Sequence, residues 1–259
     1  MKRILAIGFF VSLFWLPAPA AKAAGELVPH RALYTMSLIE AHARSGITGA
    51  NGAMMYRFED ACDAWTSETK VILKLVYSEG EEVETTWSFT SWEAKDGLSY
   101  RFNVQQSRNG EEIEILEGQA KRKLADGPGT VRYSVPQDKK LELPDGTLFP
   151  TRHLAALIEA GKKNKLMVSK VVFDGASLDN PYQISALITK PAKKEGLDKA
   201  ARLVRMAFFP VLAKSEEPKF ELGITYRPDG IADHIRQDFG DFSLDLIADN
   251  IEVLNRPDC

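Results

Sequence analysis

Two cysteines, Cys62 and Cys259, carry the most definite chemistry in this chain. A thiol pair forms a disulfide in an oxidising compartment, whereas a catalytic thiol needs a nearby histidine or a Cys-x-x-Cys partner. Neither partner lies near Cys62, and the acidic neighbours Asp60 and Asp63 disfavour a reactive thiolate there. The pair therefore favours a disulfide, and two free thiols of which one is catalytic are the alternative.

The other side chains able to do chemistry are dispersed. The histidines are His30, His42, His153 and His234. Their spacing is much wider than the short spacing typical of metal sites. The densest polar cluster, Asp229, Asp233 and His234, lies beside a Pro-Asp-Gly turn, where solvated acids are the ordinary expectation. These residues predict no metal site.

The glycine-containing segments do not supply an active site either. Gly175-Ala176-Ser177 lacks the second glycine of a nucleophile elbow. Gly127-Pro128-Gly129 leads into a β-type sequence, whereas a phosphate-binding loop leads into a helix. The sequence therefore predicts a protein with no catalytic residue, no cofactor and no enzymatic activity.

The first residues have the three parts of an export signal. Lys2 and Arg3 precede an apolar run at residues 4–16, and small residues follow, ending in Ala21-Lys22-Ala23. We expect a signal peptide at residues 1–23 and a single domain at residues 24–259. An even pair of cysteines in an exported chain agrees with an oxidising compartment outside the cytoplasm.

Charge and hydropathy exclude two classes of partner. The formal net charge is −3, and removal of Lys2, Arg3 and Lys22 with the signal makes it −6, so nucleic-acid binding is not expected. After the signal, no segment approaches the roughly 20 apolar residues that a membrane helix needs. The sequence predicts no transmembrane segment.

The dominant period along the chain is two. Leu98, Tyr100, Phe102 and Val104 alternate with polar residues, as in an antiparallel strand that buries one face. The same alternation recurs at residues 54–58, 71–77, 83–89, 131–135, 220–226 and 242–246. Turn signals containing Asp-Gly or Asn-Gly separate these runs. The pattern predicts a mainly β fold with one large antiparallel sheet, which must curl, close or stack to bury its apolar face.

One stretch has a helical pattern. Thr151 is a predicted cap for a helix whose Leu154, Leu157 and Ile158 share one face and which ends at Gly161. We expect this helix to pack on the curved sheet. Residues 197–205 are a second, weaker candidate, because their apolar residues fit a strand equally well.

Large aromatic residues concentrate in consecutive predicted strands. Trp87, Phe89, Tyr100 and Phe102 share one face of their strands at period two. One interpretation is ordinary core packing. The other is an apolar ligand surface for a lipid, an acylated polypeptide or an extended polypeptide, because a curved sheet with a lid helix suits such a ligand.

Several ordered motifs resemble one family. They are residues 29–38 (PHRALYTMSL), 60–65 (DACDAW), 143–153 (LPDGTLFPTRH), 173–175 (FDG) and 240–242 (GDF) before the terminal cysteine. The chain resembles the alphaproteobacterial periplasmic envelope-integrity proteins called EipB over essentially its whole mature length. The resemblance implies a periplasmic β-spiral, an open and overlapping barrel with one or two short helices, and a Cys62–Cys259 disulfide. It also implies similarity in shape to lipoprotein carriers, a role under envelope stress and a tetratricopeptide-repeat partner.

The residues and the resemblance together predict a non-enzymatic periplasmic protein that maintains envelope integrity. It would do so by binding a partner protein or an apolar ligand. The alternative is a carrier or sensor of lipid or lipoprotein, which requires an accessible apolar cavity. In a scaffold, by contrast, the protein's own side chains would fill the interior.

Overall fold

The computed structural model describes residues 27–190, 200–213 and 216–259. The predicted signal peptide at residues 1–23 lies outside these described residues. They form a 3₁₀ turn (Ala43–Ser45), a helix and the strands of one sheet. In chain order these are β1 (His30–Ala41), β2 (Ile47–Asp60), β3 (Ala64–Tyr77), β4 (Glu82–Ala94), β5 (Ser99–Arg108), β6 (Glu111–Arg122), β7 (Gly129–Val135), β8 (Lys140–Leu143), α1 (Pro150–Lys162), β9 (Met167–Val172), β10 (Tyr182–Thr189), β11 (Arg202–Pro210), β12 (Phe220–Tyr226), β13 (Ala232–Asp238) and β14 (Phe242–Val253).

Alternating burial explains why these segments are strands. In β5, Tyr100, Phe102 and Val104 are buried, while the alternate residues Arg101 and Gln105 are exposed. Because successive side chains of a strand point to opposite faces, this pattern gives the sheet one apolar and one polar face. The predicted half-buried antiparallel strands are confirmed.

The sheet has a simple order that leaves two free edges. Its fourteen strands run β8-β7-β6-β5-β4-β3-β2-β1-β14-β13-β12-β11-β10-β9. All pairs are antiparallel, and β1 joins the two halves by pairing with β14. The edge strands β8 and β9 are joined through α1. The segment between β8 and α1 meets the β9 edge at Leu148, whose N–H donates to Val171 O (2.8 Å) and whose O accepts from Phe173 N (3.0 Å).

Helix α1 shows that the sheet curls. Ile158 packs with Phe58 of β2, whereas Leu157 packs with Ile184 and Val204 of β10 and β11. These strands lie far apart in the sheet order, so the sheet must bend around the helix to bring them to it. The predicted open, curled antiparallel sheet with an associated helix is confirmed. The weaker second helix is wrong where it is described, because residues 202–205 belong to β11 and residues 197–199 lie outside the described part.

The N-terminus of α1 has a cap that differs from the prediction. The helix begins at Pro150, and Phe149 occupies the N-cap position without a side-chain hydrogen bond. The carboxylate of Glu93 in β4 accepts from Thr151 N (2.7 Å) and Arg152 N (3.0 Å) instead. The carboxyl oxygens satisfy N–H groups of the first helical turn that have no partner within the helix. Strand β4 therefore fixes where α1 begins.

The C-terminal segment is clasped to the β2–β3 turn. Cys62 and Cys259 have an S–S distance of 2.09 Å and a Cα–Cα distance of 5.8 Å across 197 residues of sequence. Asp60 holds the same region, because its carboxylate accepts from Lys95 Nζ (2.5 Å) and Arg256 Nη1 (3.2 Å). The clasp lies at the end of the curl where α1 is also found.

Candidate functional site

The structure brings the four predicted aromatic residues together on the inner face. Tyr100, Phe102 and Phe89 are 0 %, 3 % and 8 % exposed, and Trp87 is only partly buried. The rings of Trp87 and Phe89 stack with centroids 5.6 Å apart. All four contribute to one apolar cluster on β4 to β7.

Two aromatic residues from outside these strands fill the space in front of that cluster. Phe149 stacks on Tyr100 at 5.0 Å, and Phe173 meets Phe102 edge-on at 5.5 Å. The Tyr100 hydroxyl donates to Asp174 O (2.7 Å). In this structure Phe89, Tyr100 and Phe102 therefore contact the protein's own side chains, and only Trp87 borders less crowded space.

A row of inward-facing side chains crosses β1 to β4 at one level. The strand register aligns Tyr34, Met54, Val71 and Trp87. Tyr34 is 1 % exposed, which identifies the inward face, whereas Ile72 beside Val71 points outward and is 55 % exposed. Met54, Val71 and Trp87 point inward yet remain partly exposed. Because inward side chains keep solvent contact only where the interior is unfilled, the curl is open at this level.

The next row continues the same surface. Leu73 lies in register with Gly52 and Thr85, faces inward and is also partly exposed. We call Met54, Val71, Leu73 and Trp87 the inner strip. The sequence identified the strands that carry them, but alternation gives only the direction of a side chain. It contains no signal for whether another segment covers that side chain.

The two ends of the curl differ. At one end, α1 lies across the opening. Its Arg152 Nη1 donates to Asp96 O (3.3 Å), and its Leu154 lies beside Gly230. The opposite end carries the turns at residues 42–46, 78–81 and 239–241. No α-helix of the described ranges covers that end. The inner strip lies between the closed end and this open end.

Glu93 is the charged group buried deepest beside the helix. It is 2 % exposed. Desolvation raises the pKa of its carboxyl to about 7, opposed by the hydrogen bonds from Thr151 and Arg152. The Arg122 guanidinium, stacked 4.2 Å from the Phe149 ring, adds positive charge nearby. The helix cap therefore titrates near neutral pH.

We expect Glu93 to make stability depend on pH in a defined direction. Its folded-state pKa, about 7, lies above the ordinary value for glutamate, 4.5, so the folded protein binds the proton more tightly. Its contribution to stability is then full below about pH 4.5 and is lost as the pH rises through 7. The free energy of unfolding of the wild type, minus that of Glu93→Gln, should fall by up to about 3 kcal/mol over this range. Urea denaturation at several pH values measures it, and a constant difference would contradict the assignment.

The dispersed polar residues do not assemble into a reactive centre. Asp233 pairs with Arg227 (2.6 Å), and His234 pairs with Asp245 of β14. The Asp229 carboxylate accepts from Ile231 N (3.1 Å) inside its turn. Within the described part of the chain, no three His, Cys, Asp or Glu side chains come together as a metal would require. Each side chain of the predicted polar cluster thus has a separate structural partner.

Comparisons with known proteins agree with this architecture. The chain is 29% identical over 240 residues to the cell envelope integrity protein EipB of Brucella abortus (strain 2308), covering 88% of this chain and 84% of that protein. It also matches the crystal structure of a β-barrel-like protein of a domain of unknown function from Brucella abortus. That match has a TM-score of 0.82 and 27% identity, and it covers 90% of this chain and 100% of the other.

A membrane-spanning helix is not found among the described residues. The model of the EipB-like family matches residues 21–255, which is nearly the whole chain. The match includes the curled sheet, α1 and the inner strip. The chain therefore belongs to the EipB-like family.

Proposed function

We propose that this protein is a non-enzymatic periplasmic protein that maintains envelope integrity by holding an apolar ligand against its inner strip. The envelope role is supported by the Brucella abortus relative named a cell envelope integrity protein. The periplasmic location is supported by the predicted export signal and by the adjacent sulfur atoms of Cys62 and Cys259.

The partly exposed inner strip is the observation that carries the ligand proposal. Met54, Val71, Leu73 and Trp87 are apolar, face inward and keep solvent contact near an opening. A lipid chain lying on them would gain about 0.8 kcal/mol for each buried methylene. Ligand sites are typically concave and mostly apolar, as this strip is. The ligand class is therefore a lipid or an acylated molecule.

A second candidate function is a scaffold that binds a partner protein on its outer surface. The dense aromatic packing of Tyr100, Phe102, Phe149 and Phe173 favours it, because the interior of that half is filled. The two candidates differ in what the inner strip does. A scaffold needs no ligand there, whereas a carrier or sensor does.

The ligand proposal predicts different effects for two neighbouring residues. Leu73→Arg places a charge on the inner strip, and Ile72→Arg places the same charge on the outer face. We expect Leu73→Arg to weaken the binding of a dansyl-labelled undecanoic acid at least about tenfold, or 1.4 kcal/mol, and Ile72→Arg to leave it unchanged. Fluorescence titration of the mature protein measures both.

A second measurement does not depend on the arginine variants. A brominated fatty acid bound at the inner strip should quench the fluorescence of Trp87, and Trp87→Phe should remove that part of the quenching. If neither probe binds saturably, the ligand proposal fails and the scaffold function is favoured. Equal loss of binding in Leu73→Arg and Ile72→Arg would place the ligand outside the inner strip.

A further inference from the structure

The side of edge strand β9 that faces away from β10 pairs with no described residue along most of its length. It pairs with β10 from Met167 to Val172. On its other side, Leu148 reaches only Val171 and Phe173. Edge strands of this kind are templates for another extended chain.

The hydrogen-bond pattern identifies which groups are free. Ile188 N donates to Leu166 O (2.7 Å), so even-numbered β9 residues direct their backbone groups toward β10. Odd-numbered residues direct theirs away, as the contact of Leu148 N with Val171 O shows. Met167 and Ser169 therefore present both their N–H and their C=O groups to solvent. These four groups and the Val171 N–H match the spacing that an added strand requires.

The surroundings of this edge are apolar and positively charged. Leu166 and Met167 are 65% and 70% exposed. Residues 159–173 contain four lysines and one acidic residue, Glu159, which pairs with Lys163 (2.9 Å). On the outer face, Met167 and Leu187 border a groove of about 540 Å³ that is also lined by charged residues of both signs, Arg205, Arg236, Glu221 and Asp238. The lysines are Lys162, Lys163, Lys165 and Lys170, and all four are exposed.

We propose that the β9 edge receives an extended acidic segment of a partner polypeptide as an additional strand. An added strand would direct alternate side chains to the two faces of the sheet. Acidic side chains on one face would meet Lys170, and apolar side chains on the other would lie beside the exposed Met167 and Leu187. Charge complementarity selects this occupant, because a second copy would place the lysines of two β9 strands together. This site is separate from the inner strip.

A designed peptide tests the backbone and charge contributions separately. The probe is a fluorescein-labelled nonapeptide of alternating glutamate and valine, and the control peptide has lysine in place of glutamate. We expect saturable binding of the acidic peptide, at least tenfold weaker binding of the lysine peptide, and at least tenfold loss when alternate amides of the acidic peptide are N-methylated. Fluorescence anisotropy with the mature protein provides the measurement.

Two protein variants locate the binding. Ser169→Pro removes an N–H that faces solvent and takes no part in pairing with β10, so folding should persist while peptide affinity falls about tenfold. Lys170→Glu should have a similar effect on affinity. Hydrogen exchange of the wild type should show protection at Met167, Ser169 and Val171 only when the acidic peptide is present.

Three outcomes would overturn the proposal. They are equal affinity for the acidic and lysine peptides, no saturable binding of either, and protection of amides elsewhere without protection at β9. Sedimentation of the protein alone provides the check on self-association. A dimer that dissociates on Lys170→Glu or Ser169→Pro would show that the occupant is a second copy.

Discussion

Replacing Leu157 by aspartate should lower the free energy of unfolding by about 4 kcal/mol or more. Leu157 is 2 % exposed and packs in the apolar cluster of α1 with β9 to β12. Loss of a buried leucine side chain alone costs about 2–5 kcal/mol, and burial of an unpaired carboxylate adds to it. Urea denaturation followed by circular dichroism measures the change.

Ala155→Asp is the matched control for this variant. Ala155 lies on the same helix but is exposed, so the substitution should cost only the small difference in helix propensity, below about 1 kcal/mol. If Leu157→Asp fails to fold, Leu157→Ala gives the loss of packing by itself. If Ala155→Asp and Leu157→Asp had equal free energies of unfolding, the helix face that carries Leu157 would not anchor α1 to the sheet.

Opening the Cys62–Cys259 clasp should also destabilise the protein strongly. In the loop-entropy model, a crosslink between residues 197 positions apart stabilises the folded state by at most roughly 5 kcal/mol. Cys62→Ser and Cys259→Ser should therefore each lower the free energy of unfolding by a few kcal/mol. Denaturation without reductant compares them with the wild type.

Two controls distinguish crosslinking from local damage. The reduced wild type should match the double serine variant, since both lack the bond. Mass mapping under non-reducing conditions should give one linked pair of peptides containing Cys62 and Cys259. Two free thiols in protein isolated without reductant from an oxidising compartment would contradict the prediction.

Local sequence patterns were sufficient for the strands and for the helical face, but not for the helix cap. Alternation in β5 and the Leu154, Leu157 and Ile158 spacing depend on residues close in sequence. The cap depends on Glu93, which is 58 positions before Thr151 and belongs to another element. Thr151 resembled a cap because a local rule considers only neighbouring residues. A carboxylate from a distant strand is outside that rule.

The candidate site was predictable in residue type but not in position. The sequence identified Trp87, Phe89, Tyr100 and Phe102 as inward-facing aromatics, and the structure groups them in one cluster. It could not show that Phe149, before α1, and Phe173, after β9, would pack against Tyr100 and Phe102. Whether space inside the curled sheet stays open depends on the packing of residues distant in sequence. For the same reason, the inner strip could be recognised only from the assembled sheet.

The pairing of β1 with β14 has a consequence for the order in which the sheet assembles. The strand at the centre of the sheet order receives one neighbour, β2, immediately along the chain, but its other neighbour is the last strand. If the chain crosses a membrane from its N-terminus, β1 emerges long before β14. One edge of β1 then keeps its backbone N–H and C=O groups unpaired until β14 has emerged. Such long-range pairing folds slowly and leaves aggregation-prone edges meanwhile. We expect a chain that emerges in this order to depend on chaperones until β1 and β14 have paired.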